Sequence, residues 1–327
     1  MSTKAPSPSE MKISLLILGV LDECLHEMEY SKDYLSKTKI HKILFDVIES
    51  LELDITRSWY LRGKFVWGAE KAINLYLNIP NNEFKNLVSS DFVEKLCSYI
   101  GITKSKLKET LKMALEKFRV LFTKLELYLA NLYEHDAPEE FRSLYTSHIA
   151  FKEKFSELVD ELQQYLSRTS LIYYEPSSFS VDYVSRSITK LQMEISKLDE
   201  CSDPIIDFLN LFDEILLGIE EKVIKKELQS EHVDTINQLF GFYDEIVWKL
   251  PATYIAIRTI KGPSKEEIIE NRLKYQIEKL PEIIYEKVSE FENKVDLFPS
   301  ESYLKSKLKW NDASKAYHSI LTQFMMR

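Results

Sequence analysis

Apolar residues recur at helical spacing along almost the whole chain. A first run begins just after Pro8 and reaches Tyr30, a second covers Ile40 to Leu53, and a short third runs from Ala69 to Leu77, ended by "IPNN". The longest starts at Thr103 and sets Leu107, Leu111, Leu115, Phe118, Phe122, Leu125, Leu129 and Leu132 on one stripe, the i, i+3, i+4, i+7 spacing of a helix packed along one face. It stops at "EHDAPEE", where Pro138 suits the first position of a new helix that continues to Ser167. Two helices of ~30 residues joined by a tight turn predict an antiparallel hairpin about 45 Å long.

Beyond it, "SSFS" (177–180) interrupts the pattern, and Ser180 or Asp182 is placed to cap the next helix. Asp203-Pro204 opens another long helix and "HVDT" (232–235) one more. "LPATYIAIRTIKGPS" (250–264) reads as the other stretch that departs from helix; Ser264 then caps a charged helix that Pro281 bends or restarts, and "LFPSES" leads into a last one. Two segments, 203–216 and 234–247, echo each other through Asp, Ile and Asp-Glu-Ile, too few copies for a repeat array. The prediction is an all-α, multi-helix bundle with long antiparallel helix hairpins, and a short β-hairpin as the one alternative reading of residues 57–68. An N-terminal unit over 1–90 would precede a long-helix bundle over 91–327.

Composition sharpens this. Only seven glycines occur, about a third of the usual ~7%, so few tight turns are available. Cys24, Cys97 and Cys201 are far apart and in no CxxC pair, which fits a reduced, cytoplasmic setting and no thiolate metal site. "MKISLLILGVL" (11–21) has the length of a signal-peptide core, but Asp22 and Glu23 follow where small residues belong, and the run is short of the ~20 a membrane span needs. A buried amphipathic helix capped by "SPSE" (7–10) explains it, and no membrane role is expected. The net charge of −9 is uneven: residues 136–250 carry 23 acidic and 11 basic side chains, while both flanks are slightly positive. Nucleic acid is therefore expected only near the ends, above all in the N-terminal third.

"RSWYLRGKFVWG" (57–68) holds two of the four tryptophans, three cations and no acid. A hairpin turning at Arg62-Gly63 would resemble the wing of a winged helix, with Arg57, Arg62 and Lys64 touching phosphates. Trp59, Tyr60, Phe65 and Trp67 are equally suited to anchor a protein partner, a second copy of the chain included. A packed corner with solvated cations accounts for the same residues.

"VEKLCSYIGITKSKLKETLK" (93–112) resembles the helix-turn-helix motif of DNA-binding proteins over those twenty residues. Cys97 stands where a small residue lets two helices cross, Gly101 supplies the turn, and Leu107 is the buried residue of the second helix. The resemblance implies that Thr103, Lys104, Ser105, Lys108 and Lys112 face the major groove, with Arg119 further along. Helical phase opposes it: the cations flank the apolar stripe while Glu109 and Glu116 occupy the middle of the wet face, a pattern that solvated lysines over a core also produce.

Other chemistry is sparse. Glu23 and His26 have the i, i+3 spacing of di-iron helices without a second such motif. The adjacent Asp-Glu pairs, such as Asp213–Glu214, diverge by about 100° on a helix and read as solvated. No phosphate loop, nucleophile elbow or HExxH occurs, so no cofactor is expected and catalysis is disfavoured. The expectation is a non-catalytic interaction or scaffold protein whose acidic centre takes a basic partner. The rivals are a DNA-associated regulator and a helical enzyme whose pocket forms only in three dimensions.

Overall fold

The computed structural model describes residues 9–167, 181–198 and 201–308, so Ser7, Pro8 and the "SSFS" break lie outside the described residues. The protein is all-α with one short β-hairpin. In chain order its main elements are α1 (Glu10–Glu27), α2 (Lys37–Ser50), β1 (Arg57–Tyr60), β2 (Gly63–Val66), α3 (Glu70–Asn78), α4 (Asn81–Leu87), α5 (Ser90–Ile100), α6 (Lys104–Glu116) and α7 (Leu125–Asp136). Then come α8 (Glu139–Ser167), α9 (Val181–Ile195), α10 (Ser202–Ile224), α11 (Ser230–Phe242), α12 (Lys249–Thr259), α13 (Lys265–Ile268) and α14 (Lys274–Glu292).

The chain divides into two compact units, Met1–Ile149 with Lys249–Lys279 and Ala150–Trp248 with Leu280–Arg327. This partition does not follow the expected 90/91 boundary. The reason is that α6, C-terminal to that point, packs its Leu107, Leu111 and Leu115 stripe into the unit formed by α1 and α2. Periodicity reports that a stripe is buried, not what buries it.

In the first unit α1 is the central element. Leu16, Ile17, Leu18, Val20 and Leu21 are fully buried on every side of it, as a helix apolar all round must be. Helices α3, α5 and α6 surround it, and α2 packs on α3 and α6. Each such leucine or isoleucine contributes roughly 1.5–3 kcal/mol by leaving water. Glu10 turns its carboxylate to accept from the Thr56 N–H at 2.6 Å, the Thr56 hydroxyl at 3.0 Å and the Ser264 hydroxyl. That ties the start of α1 to the approach of β1 and to the loop after α12.

The predicted ~30-residue helix from Thr103 is two helices. Phe118 and Arg119 both take φ of 51°, which ends the run beyond α6, and α7 begins only at Leu125. Left-handed backbone at a non-glycine residue costs of order 1–3 kcal/mol and persists only where its surroundings demand it. Here Lys117 is drawn to Asp46 and Asp136, and the Phe118 ring stacks on His135 at 5.8 Å. Phe122, placed on the buried stripe by the periodicity, is 57% exposed as a result. The second arm, α8, has 29 residues against the ~30 expected.

Residues 249–259 form α12, so the 250–264 stretch is largely helical, and α14 runs through Pro281 without ending. In the second unit α9 and α10 do form an antiparallel pair. Gln192 donates to Asn210 at 2.8 Å, and Lys307 bridges Asp182 and Glu220; both residue pairs sum to 402, the mark of antiparallel register. Its core is aromatic, with Phe155 stacked on Phe240 at 4.1 Å and Phe151 edge-on to Tyr243 at 4.8 Å.

Candidate functional site

The hairpin of the first unit is the structural answer to the dense aromatic stretch at 57–68. Its register pairs Arg57 with Val66, Ser58 with Phe65, Trp59 with Lys64 and Tyr60 with Gly63, so Leu61 and Arg62 form the turn, one residue ahead of the predicted Arg62-Gly63. Gly63 has φ of 83°, the left-handed residue such a connection needs and glycine adopts freely.

Neither strand is an open edge. On one side the Arg57 and Lys261 backbones exchange hydrogen bonds and the Trp59 N–H donates to the Thr259 hydroxyl at 2.9 Å. On the other, the Lys42 ammonium donates to the Lys64 carbonyl at 2.7 Å and the Val66 N–H donates to His41 Nδ1 at 3.3 Å. Both flanking groups are buried, and burial pushes the Lys42 amine well below the usual lysine range and His41 to about 3.

The four aromatics proposed as exposed anchors do not lie on the surface. Trp59, Tyr60 and Trp67 are buried and Phe65 half-buried. Trp59 packs on Tyr145, whose hydroxyl donates to the Tyr60 carbonyl at 2.7 Å. Phe65 and Trp67 meet edge-to-face at 4.7 Å, and the Trp67 indole N–H donates to the Ser58 hydroxyl at 2.8 Å. Tyr60 donates to Gln276 at 3.0 Å. Such contacts fill a core, and the anchor expectation is corrected accordingly.

The cations of the hairpin divide. Lys64 is buried, ion-paired to both Asp46 and Asp136, while Lys117 pairs with Asp136 and lies 3.5 Å from Asp46. Two ammonium and two carboxylate groups thus form a neutral quartet beside a cleft of about 850 Å³. Burial raises Asp136, but the hydrogen bonds from Lys117 and Lys64 outweigh it and hold the carboxyl below its ordinary value. Arg57 is half-buried near Glu49 and donates to the Ile55 carbonyl, and Arg62 is exposed at the turn.

The helix-turn-helix-like segment has the local form expected of it. Gly101 closes α5 with φ of 73°, and the Thr103 hydroxyl caps α6 by accepting from the Lys106 N–H. Its charges, however, are spent within the unit. Lys104 pairs with Glu23 at 2.8 Å, Lys108 with Glu23 and Glu27, and Lys112 with Glu27 at 3.1 Å. Ser105 and Arg119 are exposed. The three lysines of the strip therefore face two carboxylates of α1, which lowers the field available for phosphates. Glu23, considered as a metal ligand beside His26, is one of those partners. Among the described residues no group of three or more His, Cys, Asp or Glu is placed to hold a metal ion, and no helix is long and apolar enough to cross a membrane.

A second cleft of about 840 Å³ lies beside Trp67. Of the acids that line it, Glu10 is held as described and Glu70 pairs with Arg272 at 3.2 Å and Lys37 at 3.7 Å, while Glu52, Asp54 and Glu267 stand towards the solvent. Arg272 in turn sits 5.3 Å over the Trp67 ring.

The second unit handles charge differently. It holds 27 acidic and 16 basic side chains, against 25 and 27 in the first. Its acids include Glu157, Asp160, Asp207, Glu214 and Glu292, all exposed. Asp213, read as solvated, is half-buried, and burial raises its carboxyl.

The chain belongs to the family described as a domain of unknown function, DUF8098, which matches it over residues 5–307. No curated protein and no solved structure matches it.

Proposed function

We propose that this protein is a non-catalytic helical interaction protein whose acidic second unit receives a basic segment of a protein partner. The observation that carries the reading is the partition of charge: the first unit is close to neutral, while the second keeps an excess of eleven negative charges. A field of that sign attracts cationic partners and repels nucleic acid and anionic membranes. The converging polar groups beside the hairpin are tied to one another, which favours a structural use over catalysis. A cytoplasmic location is part of the proposal. Cys24, Cys97 and Cys201 are buried, and burial pushes the Cys24 thiol up to about 11, away from the reactive thiolate.

Fluorescence anisotropy with three labelled probes tests the reading at low and at physiological salt. They are a lysine-rich helical peptide, its glutamate counterpart and a short duplex DNA. Binding of the lysine peptide alone, weakening with salt, is the expected result. Duplex binding that disappears when Lys104, Lys108 and Lys112 are changed to Glu would replace the reading by that of a DNA-associated regulator.

A further inference from the structure

On the second unit, α10 and α14 present two matched stripes to one groove. From α10 come Asp207, Asn210, Leu211 and Glu214; from α14 come Tyr285, Val288, Ser289 and Glu292. Each set has the spacing i, i+3, i+4, i+7, one face of a helix over two turns. The groove has a volume of about 500 Å³. Leu211 and Val288 are nearly covered and form its floor, while Asp207, Glu214, Glu292 and the Tyr285 ring stand exposed along its sides.

Charge sets this groove apart from the acids that face α6 and the hairpin in the first unit. Asp46, Asp136, Glu23, Glu27 and Glu70 each have a lysine or arginine within ion-pair distance. Among the described residues no hydrogen bond or ion pair is formed by the carboxylates of Asp207, Glu214 or Glu292, and no cation lines the groove. The nearest lysine on α14, Lys287, is turned to Glu290 at 2.7 Å. The reach of this negative field is visible at Tyr285, whose phenol is pushed up by partial burial and by Asp207 and Asp203.

We infer that the α10–α14 groove is a docking site for a short basic amphipathic helix of a protein partner, seated with an apolar residue over Leu211 and Val288 and lysine or arginine against Asp207, Glu214 and Glu292. This rests on the reading of the protein as an interaction module and deepens it. The dimensions select the occupant. Seven residues of helix rise about 10 Å, so the groove takes two turns, an apolar residue flanked by a cation one turn away on either side. The exposed Tyr285 ring beside that floor rewards apolar contact, which a simple cation or a flexible polycation cannot supply. The rim supplies charge complementarity, which sets on-rate and selectivity. A second copy of the same groove is repelled, since like charges would meet.

The test titrates the full-length protein into a labelled helical peptide with Leu at i+3 and i+4 and Lys at i and i+7. A flexible Gly/Ser peptide with the same lysines and a helical peptide with Ala in place of Leu serve as controls. The variants are Asp207→Lys/Glu214→Lys/Glu292→Lys together and, separately, Glu153→Lys/Glu157→Lys/Asp160→Lys on the exposed face of α8. All six side chains are exposed, so folding is checked by circular dichroism and expected to persist.

The helical leucine peptide should bind more tightly than both controls. The α10–α14 variant should weaken it by about tenfold or more, each reversed charge costing a few-fold, and the α8 variant by at most a few-fold through the general field. Hydrogen exchange should slow in α10 and α14 when the peptide is added. Binding retained in the α10–α14 variant but lost in the α8 variant would overturn the groove and leave the acidic-unit reading standing. Equal binding of the flexible peptide would overturn the groove in favour of diffuse attraction. Failure of every basic peptide would overturn both.

Discussion

In the first unit ionised groups point inward. Lys42 and Lys64 are buried, Lys64 and Lys117 are shared between Asp46 and Asp136, and the three lysines of α6 close onto Glu23 and Glu27. In the second, the interior is mostly phenylalanine, leucine and isoleucine, with Glu221 a buried acid held by Ser300, and Asp207, Glu214 and Glu292 stand at the surface without a cation. The difference separates two uses of charge. A buried ion pair adds little net stability but is costly to break by halves, so it selects one arrangement of the elements that carry it. Here those elements are α2, β2, α7 and the turn after α6. An exposed, unpaired acid contributes almost nothing to folding and remains available to a partner.

The largest expected break in this comparison is Lys64→Met. It leaves Asp46 and Asp136 facing each other beside a single ammonium, and removing one partner of a buried network typically costs about 3–5 kcal/mol. Urea unfolding should show that loss, and the double variant Lys64→Met/Asp136→Asn should recover part of it. If Lys64→Met unfolds like the wild type, the quartet does not specify the hairpin.

Acid should also distinguish the units. His41 is held neutral by burial, at about 3 in the folded protein against about 6.5 unfolded. Between those values the unfolded chain binds the extra proton, so stability contributed by the neutral ring is present above about 6.5 and is lost as pH falls towards 3. The loss over that window is on the order of 4–5 kcal/mol. Asp136, depressed by Lys117 and Lys64, adds a further loss in the same direction below about pH 4. His41→Gln keeps an acceptor for the Val66 N–H and should flatten the upper part of the slope, read by urea midpoints at a series of pH values.

A packing change should cost the second unit more than any rim charge. An added Cβ on Gly218 of α10 would lie 2.0 Å from the Leu297 carbonyl oxygen. Backbone cannot yield as a side-chain tip does, so Gly218→Ala should destabilise by about 1–3 kcal/mol. Thermal unfolding gives the number, and an unchanged midpoint would mean that the 295–297 turn moves aside freely.

The helical class and the hairpin were legible because each has a local cause: apolar residues at period 3.6, and glycine where the chain must turn with positive φ. The quartet was not. Asp46, Lys64, Lys117 and Asp136 are scattered over ninety residues, and Lys64 looked like one of three solvated cations in an aromatic stretch. The one available signal was register, since a hairpin over 57–66 makes Lys64 the cross-strand partner of Trp59 and puts both on one face. Aromatic residues between cations read alike in a core and in an interface, and burial alone separates those cases. The α6–α7 break escaped because Phe118 and Phe122 keep the period that their backbone abandons. The groove needed two helices some seventy residues apart, each contributing a stripe too mixed to stand out alone.

Asp213 offers the finest test of the contrast, because it is an acid of the second unit that is half-buried rather than exposed. It is half-buried on α10; burial raises its carboxyl, the neighbouring Asp182 adds to this, and Ser185 and Lys307 ease it only in part. A folded-state value above the unfolded one means that the folded protein binds the proton more readily. Ionisation of Asp213 therefore costs stability at neutral pH, and the cost fades as pH falls through the folded value. Asp213→Asn should stabilise by under about 1 kcal/mol at pH 7 and by nothing near pH 3, where both side chains are neutral. This is the opposite sign to His41 and Asp136, and urea midpoints at the two pH values measure it. Destabilisation at pH 7 would instead make Asp213 a working partner of Lys307, an ion pair of the kind that organises the first unit.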